Sequence, residues 1–126
     1  MNCVKLAALL LCSVSLLFPQ YREGNFNIRF EPTAVLQTGA EIPFAIHVTD
    51  DRKRPLIQAS VTLQIETQAN TDVKVFKAPE TEPGVYVAKP VFPSAGQWSV
   101  YVEVHREGEL SARTIDYNVP DSAAVK

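Results

Sequence analysis

The chain has 126 residues, with 12 basic and 14 acidic side chains and a formal net charge of −2. That balance excludes the concentrated basic surface that phosphate-backbone binding requires, since the only basic run, Arg52-Lys53-Arg54, directly follows Asp50-Asp51. A hydrophobic share of 46% with 21% charged residues excludes disorder along the whole chain and suits one small domain with a single core.

The chain opens on a weakly basic stretch, Met1 to Lys5, and an apolar run from Val4 to Phe18 broken only by Lys5, Cys12, Ser13 and Ser15. A run of this length fits the apolar region of a secretory signal and is short for a bilayer span, which needs about 20 apolar residues. Pro19 stops any helix there. Ser13-Val14-Ser15 has the small-x-small pattern of a cleavage site, but cutting there leaves Leu16-Leu17-Phe18 on the mature end. Two readings therefore stand: a cleaved signal with an atypical site, or an uncleaved anchor. Acylation at Cys12 is disfavoured because Leu9-Leu10-Leu11 precede it in place of a small residue. A buried core helix over residues 4–18 is disfavoured because the run has no amphipathic stripe and the rest of the chain reads as strands. Both cysteines, Cys3 and Cys12, lie in this segment, so the domain beyond it has no disulfide framework and no thiol nucleophile.

After residue 20, period-two alternation dominates, the mark of half-buried strands. Asn25 to Phe30 predicts a strand with Phe26, Ile28 and Phe30 on one face; Glu31-Pro32 interrupts it, Val35-Leu36 continues it, and Gly39 marks a turn. Ile42, Phe44, Ile46 and Val48 alternate with Pro43, Ala45, His47 and Thr49. Asp50 to Pro55 is a charged turn. Ile57, Ala59, Val61, Leu63 and Ile65 alternate with Gln58, Ser60, Thr62, Gln64 and Glu66, giving the cleanest strand in the chain. Asp72 to Lys77 is a shorter strand with Val73 and Val75 on one face, and Ala78 to Gly84 is a loop in which Pro83-Gly84 suits the centre of a type II turn. Val85 to Phe92 is apolar on both parities, which implies burial on both sides or a bulge near Pro90. From Gly96, Trp98, Val100, Val102 and Val104 face in, while Gln97, Ser99, Tyr101, Glu103 and His105 face out. Glu107-Gly108 is a hairpin signal, Ile115, Tyr117 and Val119 mark the last strand, and residues 120–126 form a polar or small-residue tail. About seven strands with turn signals between them, and no long amphipathic helix, predict an all-β, immunoglobulin-like antiparallel sandwich without its disulfide, with a core around Trp98.

The order of motifs resembles the YtkA-like/FixH-like family of exported bacterial β-sandwich domains. The residues that carry it are Gly39-Ala40-Glu41-Ile42-Pro43-Phe44, then Val48-Thr49-Asp50 with Pro55 following, then Ala59-Ser60-Val61. Pro83-Gly84-Val85-Tyr86-Val87-Ala88 and Phe92-Pro93-Ser94-Ala95-Gly96-Gln97-Trp98 come later, so the resemblance spans residues 28–119. Two departures stand out: Arg52-Lys53-Arg54 replaces the family's usual turn glycine, and Ser94-Ala95 stands where many members carry methionine. The resemblance implies an immunoglobulin-like fold outside the cytoplasm. Through FixH, which looks like a membrane-anchored factor for copper delivery and oxidase assembly, it also raises the question of a metal.

Extracytoplasmic copper sites use Met, His or Cys ligands. Here Met1 is the only methionine, the domain has no cysteine, and its two histidines, His47 and His105, fall on outward parity. A shared site would need adjacent strands in register and a third ligand such as Glu103 or Glu66. Asp50-Asp51 beside three cations reads as a self-neutralised loop rather than a calcium site. Glu80 and Glu82 lie in the loop without a partnered acid, and the serines form no nucleophile elbow. Tyr86 and Trp98 read as core residues.

The sequence thus divides into a signal peptide or membrane anchor over 1–20, a YtkA-like sandwich over 21–119 and a tail over 120–126. Its expected role is a non-catalytic exported interaction module, periplasmic or secreted, with a protein partner in the cell envelope. No catalytic, cofactor-binding or metal residue is assigned, no nucleic acid is expected, and membrane contact runs only through residues 4–18 if they are retained. The alternative is a FixH-like accessory role in copper handling or oxidase assembly. Intact mass of the chain recovered from its native envelope separates the two N-terminal readings: loss of the apolar run marks a cleaved signal, and retention of residues 1–20 marks an anchor.

Overall fold

Alternation of apolar and polar residues builds two sheets whose apolar faces close on each other. The computed structural model describes residues 22–69 and 72–121. The predicted N-terminal segment and most of the tail lie outside them. Among the described residues nine strands are present: β1 Arg22–Glu23, β2 Asn27–Pro32, β3 Phe44–Thr49, β4 Ser60–Thr67, β5 Val73–Lys77, β6 Glu80–Glu82, β7 Val85–Ala88, β8 Gly96–Arg106 and β9 Glu109–Val119. A five-stranded sheet has the order β1-β9-β8-β4-β5, and a four-stranded sheet the order β2-β3-β7-β6. All pairings are antiparallel except that of β1 with β9.

The facing sides bury Ile28, Phe30, Phe44, Ile46 and Val48 from one sheet against Val61, Leu63, Ile65, Trp98, Val100, Val102 and Val104 from the other. Burying one such aliphatic side chain contributes about 1.5–3 kcal/mol. Trp98 ends an aromatic group centred on Phe44. Its ring meets Phe92 edge-on at 5.6 Å, Phe92 lies 6.3 Å from Phe44, and Phe44 meets Tyr117 edge-on at 5.6 Å. Such edge contacts add to area burial because the positive ring edge meets the negative ring face. The indole N–H donates to the Ser94 carbonyl at 2.8 Å, so the ring is buried with no polar atom unpaired.

Two strands beyond the seven expected are present, and both are too short to show periodicity. β1 has two residues, held by Arg22 N–H to Gly108 O and Gly24 N–H to Leu110 O, each at 2.8 Å. β6 has three and occupies part of the expected 78–84 loop, pairing with β7 through an irregular register. Pro83-Gly84 forms the turn between them, with Gly84 at φ +77° as a type II turn requires. At Glu107-Gly108 both residues have positive φ, 51° and 79°, the type I′ hairpin signature.

Three other expectations are corrected. The strand expected from Ile57 starts at Ser60, because Gln58 takes a left-handed conformation (φ 56°) and leaves Ile57 43% exposed. The apolar run Val85 to Phe92 is not one strand: β7 ends at Ala88, Pro90 has no N–H to continue the ladder, and Val91 and Phe92 make only single bridges to Glu41 and Thr38. Val35-Leu36 does not extend the first strand, and Val35 is 76% exposed. Pro32, expected to interrupt that strand, instead ends it within the ladder; β2 is an edge strand, where a missing donor is tolerated.

Between β3 and β4 the chain passes from one sheet to the other, and Tyr86 fixes the passage. Its hydroxyl donates to the Leu56 carbonyl at 2.7 Å and accepts from the Ala59 N–H at 3.0 Å. Burial pushes the phenol above its ordinary range. Tyr86→Phe leaves both backbone groups without that partner and is expected to cost about 1–3 kcal/mol. Gly84→Ala places a Cβ 2.8 Å from Pro55 Cβ at positive φ, with an expected cost of about 1–3 kcal/mol. Urea denaturation should show both losses as lower midpoints with unchanged slope.

Candidate functional site

The two histidines do not meet. His47 lies on β3 between buried Ile46 and Val48, so it points from the outer face of the four-stranded sheet, opposite Arg29 and Val85. His105 lies on β8, on the outer face of the other sheet, opposite Ser60 and Leu110. The whole core separates them, and the shared two-histidine site considered from sequence is not assembled. Glu66 is also remote from His105, since it pairs with Ser99 near the far end of β8. Among the described residues no group of three His, Cys, Asp or Glu side chains is close enough to hold a metal ion.

Glu103 does join His105. The strand's two-residue repeat puts Tyr101, Glu103 and His105 in one outward row. The Tyr101 hydroxyl donates to Glu103 Oε2 at 2.8 Å, and His105 Nε2 contacts Glu103 Oε1. The Tyr101 hydrogen bond, then the His105 contact, hold the Glu103 carboxyl below its ordinary value, while the same bond raises the Tyr101 phenol. No substrate-sized cleft adjoins the row among the principal clefts of the described surface.

Two of the acidic residues weighed from sequence, Asp50 and Glu80, have structural partners. Asp50 accepts from the backbone N–H groups of Arg54 and Arg52, each at 2.9 Å, and from Arg54 Nε at 3.0 Å. The Arg54 amide is the main cause of its lowered pKa. This is the self-neutralised loop expected, with Lys53 at φ 63° at its tip. Glu80 is not in a free loop. Its carboxylate accepts from Gln58 N–H at 3.0 Å and Gly84 N–H at 3.1 Å, bracing both positive-φ positions.

The flank formed by β5 and β6 presents a surface that strand periodicity does not reveal. β5 and β6 end their sheets on the same flank of the sandwich, joined by Ala78-Pro79. The outer edge of β5 has no strand partner among the described residues, and its Val73 and Val75 are 48% and 60% exposed. Beside this edge Phe76, Lys77, Pro79, Thr81, Val87 and Lys89 line a groove of about 440 Å³. The one-face pairing of Val73 and Val75 was legible in the sequence; that the face points to solvent was not, because Phe76 takes the inward position opposite Leu63.

Glu103 and Asp50 contribute to the acid response. Each binds its proton more readily in the unfolded chain, so each contributes stability that is present above the unfolded pKa and lost as pH falls through the folded value. Wild-type stability is therefore expected to decline as pH falls below the ordinary carboxylate range, and Glu103→Gln to show a shallower decline in urea midpoints over that fall.

A family model described as YtkA-like matches residues 20–103, two thirds of the chain, from β1 through most of β8. No curated protein matches the chain.

Proposed function

The chain belongs to the YtkA-like family, and from that premise we propose that it works outside the cytoplasm as a non-catalytic interaction module, engaging a protein partner of the cell envelope along β5. The observation that carries this reading is the unpaired β5 edge with two exposed valines beside the Phe76–Pro79–Val87 groove. An open edge offers a row of N–H and C=O groups that an extended segment can pair with, and the adjoining groove gives alternate side chains a place to seat. Lys74, Lys77 and Lys89 around the edge favour an acidic segment and disfavour pairing with a second β5 of the same charge.

The strand order supports an immunoglobulin-like reading of the sandwich. The sheet β2-β3-β7-β6 matches the arrangement A-B-E-D, and β4, β8 and β9 match C, F and G. The architecture alone leaves function open, so the reading rests on the β5 edge. A FixH-like role in copper handling has less support, since His47 and His105 stand on opposite faces. Export itself rests on the apolar run of residues 4–18.

A photo-crosslinking residue at Val75, introduced into the full chain in its native envelope, should give a discrete adduct. The same residue at Val35, exposed away from the groove, should not. Lys77→Glu is expected to lower the Val75 adduct by about fivefold or more through like-charge repulsion. Equal yields at both positions, insensitive to Lys77, would sink the reading.

A further inference from the structure

A second surface, on the opposite flank, has different chemistry. β2 ends the four-stranded sheet and faces the β9 side of the other sheet, where β1 covers only Glu109 and Leu110. Along this open seam Asn27, Arg29, His47, Thr49 and Arg113 line a cleft of about 340 Å³ over Ile28. Arg29 and His47 are direct cross-strand partners, which sets their Cβ atoms about 4.5–5.5 Å apart on one face. Arg113 comes from the other sheet, and its Nη1 donates to the Ile28 carbonyl at 2.8 Å. That bond fixes the guanidinium at the cleft wall and leaves further N–H groups of its fork for a ligand.

No carboxylate lines this cleft, and neither Arg29 nor Arg113 makes an ion pair with a described residue. Asp50 shows the contrasting case, a carboxylate held directly against the Arg54 guanidinium. In a chain with more acidic than basic side chains, this cleft draws two guanidiniums and an imidazole together from three strands with no carboxylate in its lining. Glu31, two residues beyond Arg29 on the same face, lies outside the cleft lining.

We propose that this cleft binds an oxyanion, a phosphate or carboxylate group, with Arg29 and Arg113 giving charge-assisted hydrogen bonds and His47, Asn27 and Thr49 fixing its orientation. Guanidinium forks match the planar spacing of carboxylate and phosphate oxygens, and the flanking amide and hydroxyl supply directional donors. The site is independent of the β5 edge, and each can fail without the other.

The test is an amide-resonance titration of the full chain in uncharged detergent micelles. The probes are inorganic phosphate, succinate, and phosphatidylglycerol doped into the micelles. The expected result is saturable shifts at residues 27–29, 47–49 and 113, with a Kd of about 1 mM or tighter for at least one probe. Saturation by phosphate or succinate identifies a free anion as the source; saturation by phosphatidylglycerol alone identifies a lipid headgroup. Arg29→Gln, which removes no described contact, should weaken binding about tenfold while the urea midpoint stays unchanged. Arg113→Lys should weaken it while retaining the charge, since the fork is lost. Absence of saturation with every probe up to ~50 mM overturns the proposal. Shifts of equal size at Arg52–Arg54 that persist in Arg29→Gln also overturn it, and mark an adventitious ion only.

Discussion

The passage of the chain from one sheet to the other, over Leu56 to Ala59, is the constraint on which the rest of the sandwich depends. Tyr86 hangs from β7 in the four-stranded sheet and grips both ends of that passage with one hydroxyl. Glu80, one strand further, holds the Gln58 amide at the point where the backbone turns left-handed. If this short segment were free to choose its path, the register of β4 would be free to slip, and a one-residue slip would turn Val61, Leu63 and Ile65 out to solvent. With no cysteine in the domain, a covalent link between the sheets is unavailable. Their relative placement rests on apolar burial, which has no direction, and on these few directional bonds, which do.

The same division explains what the flanks can do. Burial consumes one side of each strand completely, as the near-zero exposure of Trp98, Val100, Val102 and Val104 shows. What remains for binding is the outer faces and the two open seams. The seams differ in chemistry because different strands end the sheets there. One mixes apolar side chains with lysines, the other is lined by arginines and a histidine. A sandwich that closes its core this fully can vary either seam without disturbing the other, because no buried side chain is shared between Phe76–Val87 and Arg29–Arg113.

Much of this was legible in the sequence, and the reason is periodicity. Strands with unbroken alternation announce themselves, so the inward faces of β2, β3, β4 and β8 and the Glu107-Gly108 and Pro83-Gly84 turns were all readable, whereas β9, exposed at each of residues 112–114, shows its period only from Ile115. Elements that lack a period were not. β1 and β6 are too short to alternate, and Gln58 gives no local sign that a distant glutamate will hold it left-handed. The histidines could be assigned outward from parity alone, but not to opposite sheets, because sheet membership is decided by long-range pairing. The β5 edge and the arginine seam escaped for the same reason: Val73 and Val75 look like core residues until the end of the sheet is known, and Arg29 and Arg113 lie 84 positions apart in the chain.

The small β1 strand has a mechanical consequence. It runs parallel to β9, and its first residue lies beside the Glu107-Gly108 hairpin, while Val119 ends β9 at the opposite end of the sheet. A pull applied between Arg22 and Val119 therefore slides β1 along β9, loading their hydrogen bonds together rather than one after another. Ser111 reinforces that clamp by donating to Gly24 O and accepting from Phe26 N–H. Tension along the chain meets a shear joint before it reaches the core, and the sandwich can bear a tether at its amino-terminal end without being peeled open strand by strand.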